Sequence, residues 1–170
     1  MTSSTIDPNT GRWARRAASR VQAAPAWVAA VAAVALGCAS CSQSDSFLGA
    51  QIDFQLRQGA TPTLDLGKVG PANWTRLCVL GPYTDDAAAQ ALLGLPWPAS
   101  RLTSLAERDD SVALVFSDGA KVLAFVERPR AEGDFTTVQP PCLTRAEARL
   151  ETRRDADGRL RVLRPGAPAP

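Results

Sequence analysis

The chain contains no histidine. That excludes a Ser-His-Asp triad, a Cys-His pair and any metal site built on imidazole. Lysine is almost as scarce: 2 lysines stand beside 17 arginines, and 30 of the 170 residues are alanine. Aromatic residues make up 6%, with a single tyrosine. No self-similarity recurs at a period of about 20–50 residues, which excludes solenoids and propellers. The longest apolar run, residues 26–36, is far shorter than the about 20 residues a helix needs to cross a bilayer core. What is present, 45% hydrophobic and 21% charged residues, permits a packed core and argues against wholesale disorder. The length suits one domain with a tail.

Charge is unevenly placed. The formal net charge is +2, yet residues 1–37 hold Arg12, Arg15, Arg16 and Arg20 against Asp7 alone. From Cys38 onward there are 15 basic and 16 acidic residues, a net charge of −1. No basic field remains to draw the mature chain to nucleic acid, so no nucleic-acid partner is expected. The arginines precede the apolar run 26–36, and small residues follow it. That order is the order of a secretory signal. Residues 1–37 are expected to be a signal peptide, with an uncleaved anchor and a buried core helix as the alternatives. Arg15-Arg16 is followed by Ala17-Ala18-Ser19 rather than by a large apolar pair, which points to the ordinary secretory route.

The run ends in Val34-Ala35-Leu36-Gly37-Cys38-Ala39-Ser40-Cys41-Ser42. A small residue before a cysteine, directly after a signal core, resembles the lipobox of bacterial lipoproteins. The resemblance implies that Cys38 is lipidated on its thiol and becomes the new N-terminus. Ala35 departs from the leucine commonest at its position, and Cys41, preceded by Ala39-Ser40, is the second candidate. Ordinary cleavage, leaving a soluble protein, is the alternative. One acyl chain binds a membrane only at about 10⁴ M⁻¹, whereas several hold firmly. Neither Cys38 nor Cys41 is followed by aspartate, the residue associated with retention at the inner membrane. By resemblance, the protein is lipid-anchored at the outer membrane, facing the periplasm.

Cys78 and Cys142 lie within the folded part. In a compartment that permits disulfides they are expected to pair, closing a loop of about 64 residues worth roughly 4 kcal/mol by chain entropy. Two reduced thiols are the alternative. A metal site is disfavoured because no Cys-x-x-Cys or histidine accompanies them.

Small polar residues over 38–50 suggest a flexible tether, 51–164 an α+β domain, and 165–170 a disordered tail. Alternation over 52–56 predicts a short strand, and 64–66 an edge segment. Residues 74–80 suit a central strand ending at Gly81-Pro82. Thr84 is the expected N-cap of a helix that stops at Gly94. Residues 111–116 and 121–126 form a hairpin over Asp118-Gly119. Both strands are apolar enough to be covered on both faces. Residues 129–141 are expected as a loop and 144–148 as one helical turn. A second hairpin joins 149–154 and 159–164 over Asp155-Ala156-Asp157-Gly158. The fold class predicted is α+β: a small antiparallel sheet of about five strands with one main helix packed on a face. The stretch Trp74-Thr75-Arg76-Leu77-Cys78, leading to Gly81-Pro82-Tyr83-Thr84, is similar to a segment of small bacterial envelope proteins of unknown function. The similarity covers residues 63–150 and implies a domain type without an assigned activity.

Few constellations suggest chemistry. Asp85-Asp86 and Asp109-Asp110 pair carboxylates, but sequence neighbours seldom face one another. Ser117 and Lys121 flank a turn, where the lysine should stay charged rather than serve a dyad. Asp155-x-Asp157-Gly158 lacks the remaining oxygen ligands of a calcium loop. Arg145, Arg149, Arg153, Arg154, Arg159, Arg161 and Arg164 outnumber Glu147, Glu151, Asp155 and Asp157. They suit anionic headgroups, an acidic partner or cross-strand ion pairs. Trp74, Trp97 and Tyr83 suit either a core or a binding surface. No catalytic residue, metal or cofactor is assigned. The expectation is a non-enzymatic, lipid-anchored envelope protein acting as a binding or structural module. Its partners would be the membrane, through the anchor, and an envelope protein or cell-wall material. The alternative is a small periplasmic enzyme using carboxylate or Ser/Lys chemistry.

Overall fold

A computed structural model of the chain describes residues 44–57 and 63–167. The expected signal peptide, Cys38, Cys41 and residues 168–170 lie outside the described residues. The elements in order are α1 (Ser46–Arg57), β1 (Thr63–Asp65), β2 (Arg76–Leu80), α2 (Asp86–Leu93) and α3 (Ala99–Leu102). There follow β3 (Ser111–Ser117), β4 (Val122–Pro129), β5 (Cys142–Thr144), β6 (Arg149–Arg154) and β7 (Leu160–Leu163). The class is α+β. The single five-stranded sheet with one main helix gives way to two antiparallel sheets, ordered β4-β3-β2-β5 and β1-β6-β7, with three short helices.

The reason lies in β2 and β3. Their apolar residues are consecutive, so alternate side chains point to opposite faces and both faces must be covered. All 7 residues of β3 are buried. Leu77, Val79, Val112, Leu114 and Phe116 join a core with Leu48 and Ile52 of α1 and with Leu64, Leu150 and Val162 of the three-stranded sheet. Cys78, Leu80, Ala113 and Val115 join a second core with Ala89 and Leu93 of α2 and with Ala99 of α3. One helix cannot serve both faces. Each core has its own tryptophan: Trp74 meets Phe116 edge-on at 5.3 Å, and Trp97 meets Phe125 at 5.2 Å. Such pairs add about 0.5–1.5 kcal/mol beyond burial. Gly70, at φ 85°, lets the chain pass Phe116, whose Cδ1 would lie 3.0 Å from an added Cβ.

Residues 52–56 are helical rather than a strand. Leu48, Ile52 and Leu56 recur every four residues and face the first core, a period that overrides the short alternation. Asp45 starts the helix: its carboxylate accepts from Leu48 N at 3.0 Å, and its own amide donates to Phe125 O at 2.8 Å. Residues 46–50, expected in the tether, therefore belong to α1, and Ser44 already accepts a hydrogen bond from Glu127 N of β4.

Other differences are local. Asp85, not Thr84, caps α2 by accepting from Ala88 N at 2.8 Å, while the Thr84 hydroxyl donates to Gly81 O. Gly94 ends α2 at φ 74°, as the sequence predicts. The β3–β4 hairpin closes at Asp118-Gly119, but Ser117 pairs with Val122, so four residues make the turn. Asp118 Oδ1 accepts the amides of Ala120 and Lys121, and Gly119 takes the positive φ of 91°. The side-chain acceptor does what a second positive φ would do in a tighter turn. Residues 144–148 continue β5 into a single turn rather than a helix: Glu147 N donates to Thr144 O at 3.1 Å, and the Glu147 carboxylate accepts from Thr144 N and Oγ1. The loop 129–141 contains two single 3-10 turns, Arg130–Glu132 and Phe135–Thr137, with Phe135 fully buried. Within the expected tail, Ala167 N donates to Arg164 O and closes a turn.

Cys78 and Cys142 stand in register across β2 and β5, 64 positions apart in sequence, with sulfurs bonded at 2.02 Å. The bond fastens a three-residue edge strand to the sheet interior. Cys78→Ala/Cys142→Ala is expected to lower unfolding free energy by about 4 kcal/mol, since the cross-link restricts the unfolded chain. Urea unfolding checks this: the double variant and the reduced parent should share one lowered midpoint.

Candidate functional site

The densest group of buried charge surrounds Asp134, in the β4–β5 loop. The Asp134 amide donates to Leu160 O at 2.8 Å, and its carbonyl accepts from Val162 N at 3.0 Å, a parallel bridge that docks the loop beside β7. The residue is 2% exposed. Arg130 donates to its carboxylate through Nε at 3.2 Å and Nη2 at 2.9 Å, and Arg161 through Nη1 at 2.6 Å. Thr136 adds its amide at 3.0 Å and its hydroxyl at 2.6 Å. Arg161 also binds Asp155 Oδ2 at 2.8 Å, and Arg130 reaches Asp109 O at 2.8 Å. Burial opposes ionisation of Asp134. The hydrogen bonds from Arg130 and Thr136 outweigh it and hold the carboxyl below the usual carboxylate range.

An open cleft of about 450 Å³ adjoins this group, lined by Asp109, Asp110, Arg130, Asp134, Asp157 and Arg159 among others. Asp110 is forked by Arg108, and that hydrogen bond lowers its carboxyl too. A general acid at neutral pH needs a carboxyl raised toward 7. Both carboxyls move the other way, and both oxygens of Asp134 are already occupied. The arrangement is suited to clamping a loop between two sheets.

A second buried charge, the cation Arg128 on β4, is 3% exposed. It pairs with Asp53 of α1, with Glu132 at 3.1 Å and with Gly49 O at 3.4 Å, so it fastens α1 to the four-stranded sheet. Its Nε has no hydrogen-bond partner among the described residues. Neither Arg128 nor Asp134 stands out in the sequence. The only local signal is Asp134-x-Thr136, the spacing of an aspartate that accepts an amide two residues on.

The residues singled out from sequence are dispersed into structural roles. Asp85 caps α2, and Asp86 accepts from Ser100 N at 2.7 Å, joining α2 to α3. Ser117 is fully buried against Arg76 O, while Lys121 is exposed in its turn, so no buried dyad forms. Asp155 accepts from the amides of Asp157 and Arg159, which makes a turn and occupies an oxygen a cation would need. Among the described residues, no cluster of three or more acidic or thiol side chains is placed to hold a metal ion. Trp74 and Trp97 are core residues, and Trp74 Nε1 donates to Val69 O at 2.8 Å; Tyr83 is 66% exposed. The arginine ribbon is largely consumed internally. Arg145 spans Gly67 O and Ala72 O over the Trp74 ring, Arg161 holds Asp134, Arg164 holds Glu147 and Arg153 holds Glu151. No helix among the described residues is long and apolar enough to cross a membrane. No protein-family model, curated protein or solved structure matches the chain.

Removing a partner from a buried ion pair strands the remaining charge. Asp134→Asn is therefore expected to cost about 3 kcal/mol in urea unfolding, more than Asp157→Asn at the exposed turn. Acid should act in the same direction. Glu147 is held at about 2, against an ordinary 4.5, by the Thr144 amide, the Thr144 hydroxyl and Arg164. A depressed folded-state value contributes stability that is complete above the unfolded value and is lost as pH falls through the folded one. The urea midpoint should stay level from neutral pH down to about 5 and fall steeply below it, with a shallower fall in Glu147→Gln.

Proposed function

We propose that the chain is a lipid-anchored protein of the cell envelope, and a binding or structural module rather than an enzyme. The observation that carries this is the junction after the apolar run 26–36, where Gly37-Cys38 stands in the place of a lipobox cysteine. Cys38 is the lipidated residue, with Cys41 as the second candidate. Residues 1–37 are the signal that delivers the chain, and neither Ala39 nor Ser42 retains it at the inner membrane. The domain then hangs from the outer membrane in the periplasm, where a Cys78–Cys142 bond is compatible with the redox conditions.

The physical consequence is confinement. A fully extended chain from Cys38 to Asp45 spans at most about 25 Å. The α+β domain is kept that close to the bilayer and presents its surface to an envelope protein or to cell-wall material. Further support comes from three of the four acid–base candidates: Asp85, Asp86 and Asp110 are each engaged by amides or arginines of the fold.

Metabolic labelling with palmitate tests the anchor. Label is expected in the parent and in Cys41→Ala, and is expected to vanish in Cys38→Ala. Label lost only in Cys41→Ala would move the site to Cys41. An unlabelled parent would remove the anchor.

A further inference from the structure

We propose that the outward face of α1 rests on the bilayer surface, with Phe47 and Phe54 entering the headgroup layer and setting which side of the domain faces away. This deepens the anchored reading and rests on it. Phe47 is 72% and Phe54 63% exposed, while Phe116, Phe125 and Phe135 are at most 1% exposed. The domain thus places three of these five phenylalanines fully inside and leaves the other two outside on one helix. They are seven residues apart, two turns, with exposed Ala50 between them on the same side. The opposite side of α1 carries Leu48 and Ile52 into the first core. α1 is therefore apolar on two sides, and one of them has no cover in the described structure.

The surroundings favour a membrane as that cover. Beyond Phe54, a hollow of about 310 Å³ is lined by Asp53, Arg57, Glu132 and Arg154, among others. Arg57 extends with its side chain 77% exposed and only a 3.6 Å contact to Asp53, whose carboxylate is also held by Arg128. Arg57, Arg128 and Arg154 face two carboxylates, which leaves this end of the helix positive. Two exposed aromatics on one helix, with Arg57 exposed at its C-terminal end and Arg154 across the hollow, suit the boundary between headgroups and acyl chains of an anionic membrane.

Chain length supplies the second argument. Phe47 is nine residues beyond Cys38, a span of at most about 32 Å when fully extended. α1 is the first described element after the lipidated cysteine, and Asp45 fixes its start to Phe125 O of β4. A lipid chain alone is a swivel. Two aromatic contacts on a helix docked to the sheet would remove that freedom. α2 covers the opposite face of the four-stranded sheet, so it would point away from the bilayer.

Tryptophan quenching tests this. The mature chain is purified from cell membranes and placed in phosphatidylethanolamine–phosphatidylglycerol vesicles whose acyl chains carry bromine near the carbonyl. Phe54→Trp and Phe47→Trp report from α1, and Ala91→Trp reports from the exposed side of α2. The parent gives the background from Trp74 and Trp97. Quenching by about half or more is expected for both α1 probes, with little for A91W. If no probe is quenched above background, or all three are quenched equally, the proposal is overturned. Intact mass separates the two ideas. A lipidated protein with unquenched α1 probes loses only the bilayer contact, whereas a protein without lipid loses the anchor and this inference with it.

Discussion

The double-faced burial of β2 and β3 governs the rest of the architecture. Strands with apolar side chains on both faces, as over 77–80 and 112–116, cannot stand at a surface, so each face of the four-stranded sheet demands a cover. The chain supplies α1 and the three-stranded sheet to one face and α2 with α3 to the other. Trp74 and Trp97 then fall on opposite sides, each edge-on to a phenylalanine that protrudes from the sheet on that side. β5 pairs with β2 over three residues, too few for a ladder to be secure by itself. The cross-strand cysteines fasten that edge at Cys78, in the sheet interior.

The covers are positioned by arginine–carboxylate contacts. Arg128 draws α1 to β4, and Asp134, between Arg130 and Arg161, draws the β4–β5 loop to β7. A guanidinium suits these places because its planar fork presents five donors in fixed directions, where an ammonium presents three on a flexible stem. The pronounced preference for arginine over lysine thus has a structural use within the fold. Buried pairs of this type add little net stability compared with apolar packing. Their effect is selective: Asp134 bonds to the backbone of Leu160 and Val162 as well as to two cations, and a shifted docking of the loop would leave those charges unmatched.

Elements defined by local chemistry were legible in the sequence. Asp118-Gly119 and Asp157-Gly158 mark their hairpins, Gly94 marks the end of α2, and the apolar run of β3 announces two covered faces. α1 was not legible. Ile52-Asp53-Phe54-Gln55-Leu56 imitates a period of two only because Phe54 is apolar yet exposed. Setting a domain boundary at residue 51 also cut Leu48 from Ile52 and hid the helical period. The number of sheets was hidden for a different reason. β1 finds its partner in β6, with Leu64 opposite Leu150, and no local pattern encodes so distant a choice. The Asp134 cluster shares that non-locality, since Arg161 lies 27 residues away and arrives only when β7 is in place. The junction proposed at Cys38, conversely, rests on sequence alone.

An exposed phenylalanine is ordinary on a protein surface, and its position decides whether it carries weight. Phe47 and Phe54 are held on a helix with little freedom of its own. Asp45 ties its start to β4, Arg128 grips Gly49 O and Asp53 in its middle, and Gln55 exchanges two hydrogen bonds with Asp65 near its end, at 3.1 and 2.7 Å. These three attachments reach both sheets, because β4 belongs to one and Asp65 to the other. A force applied to the outward face of α1 is therefore transmitted to the whole domain rather than absorbed by a loose terminus. If the lipid sets the distance from the bilayer, the tilt of α1 sets the tilt of both sheets, and the surface around α2 is presented in one orientation.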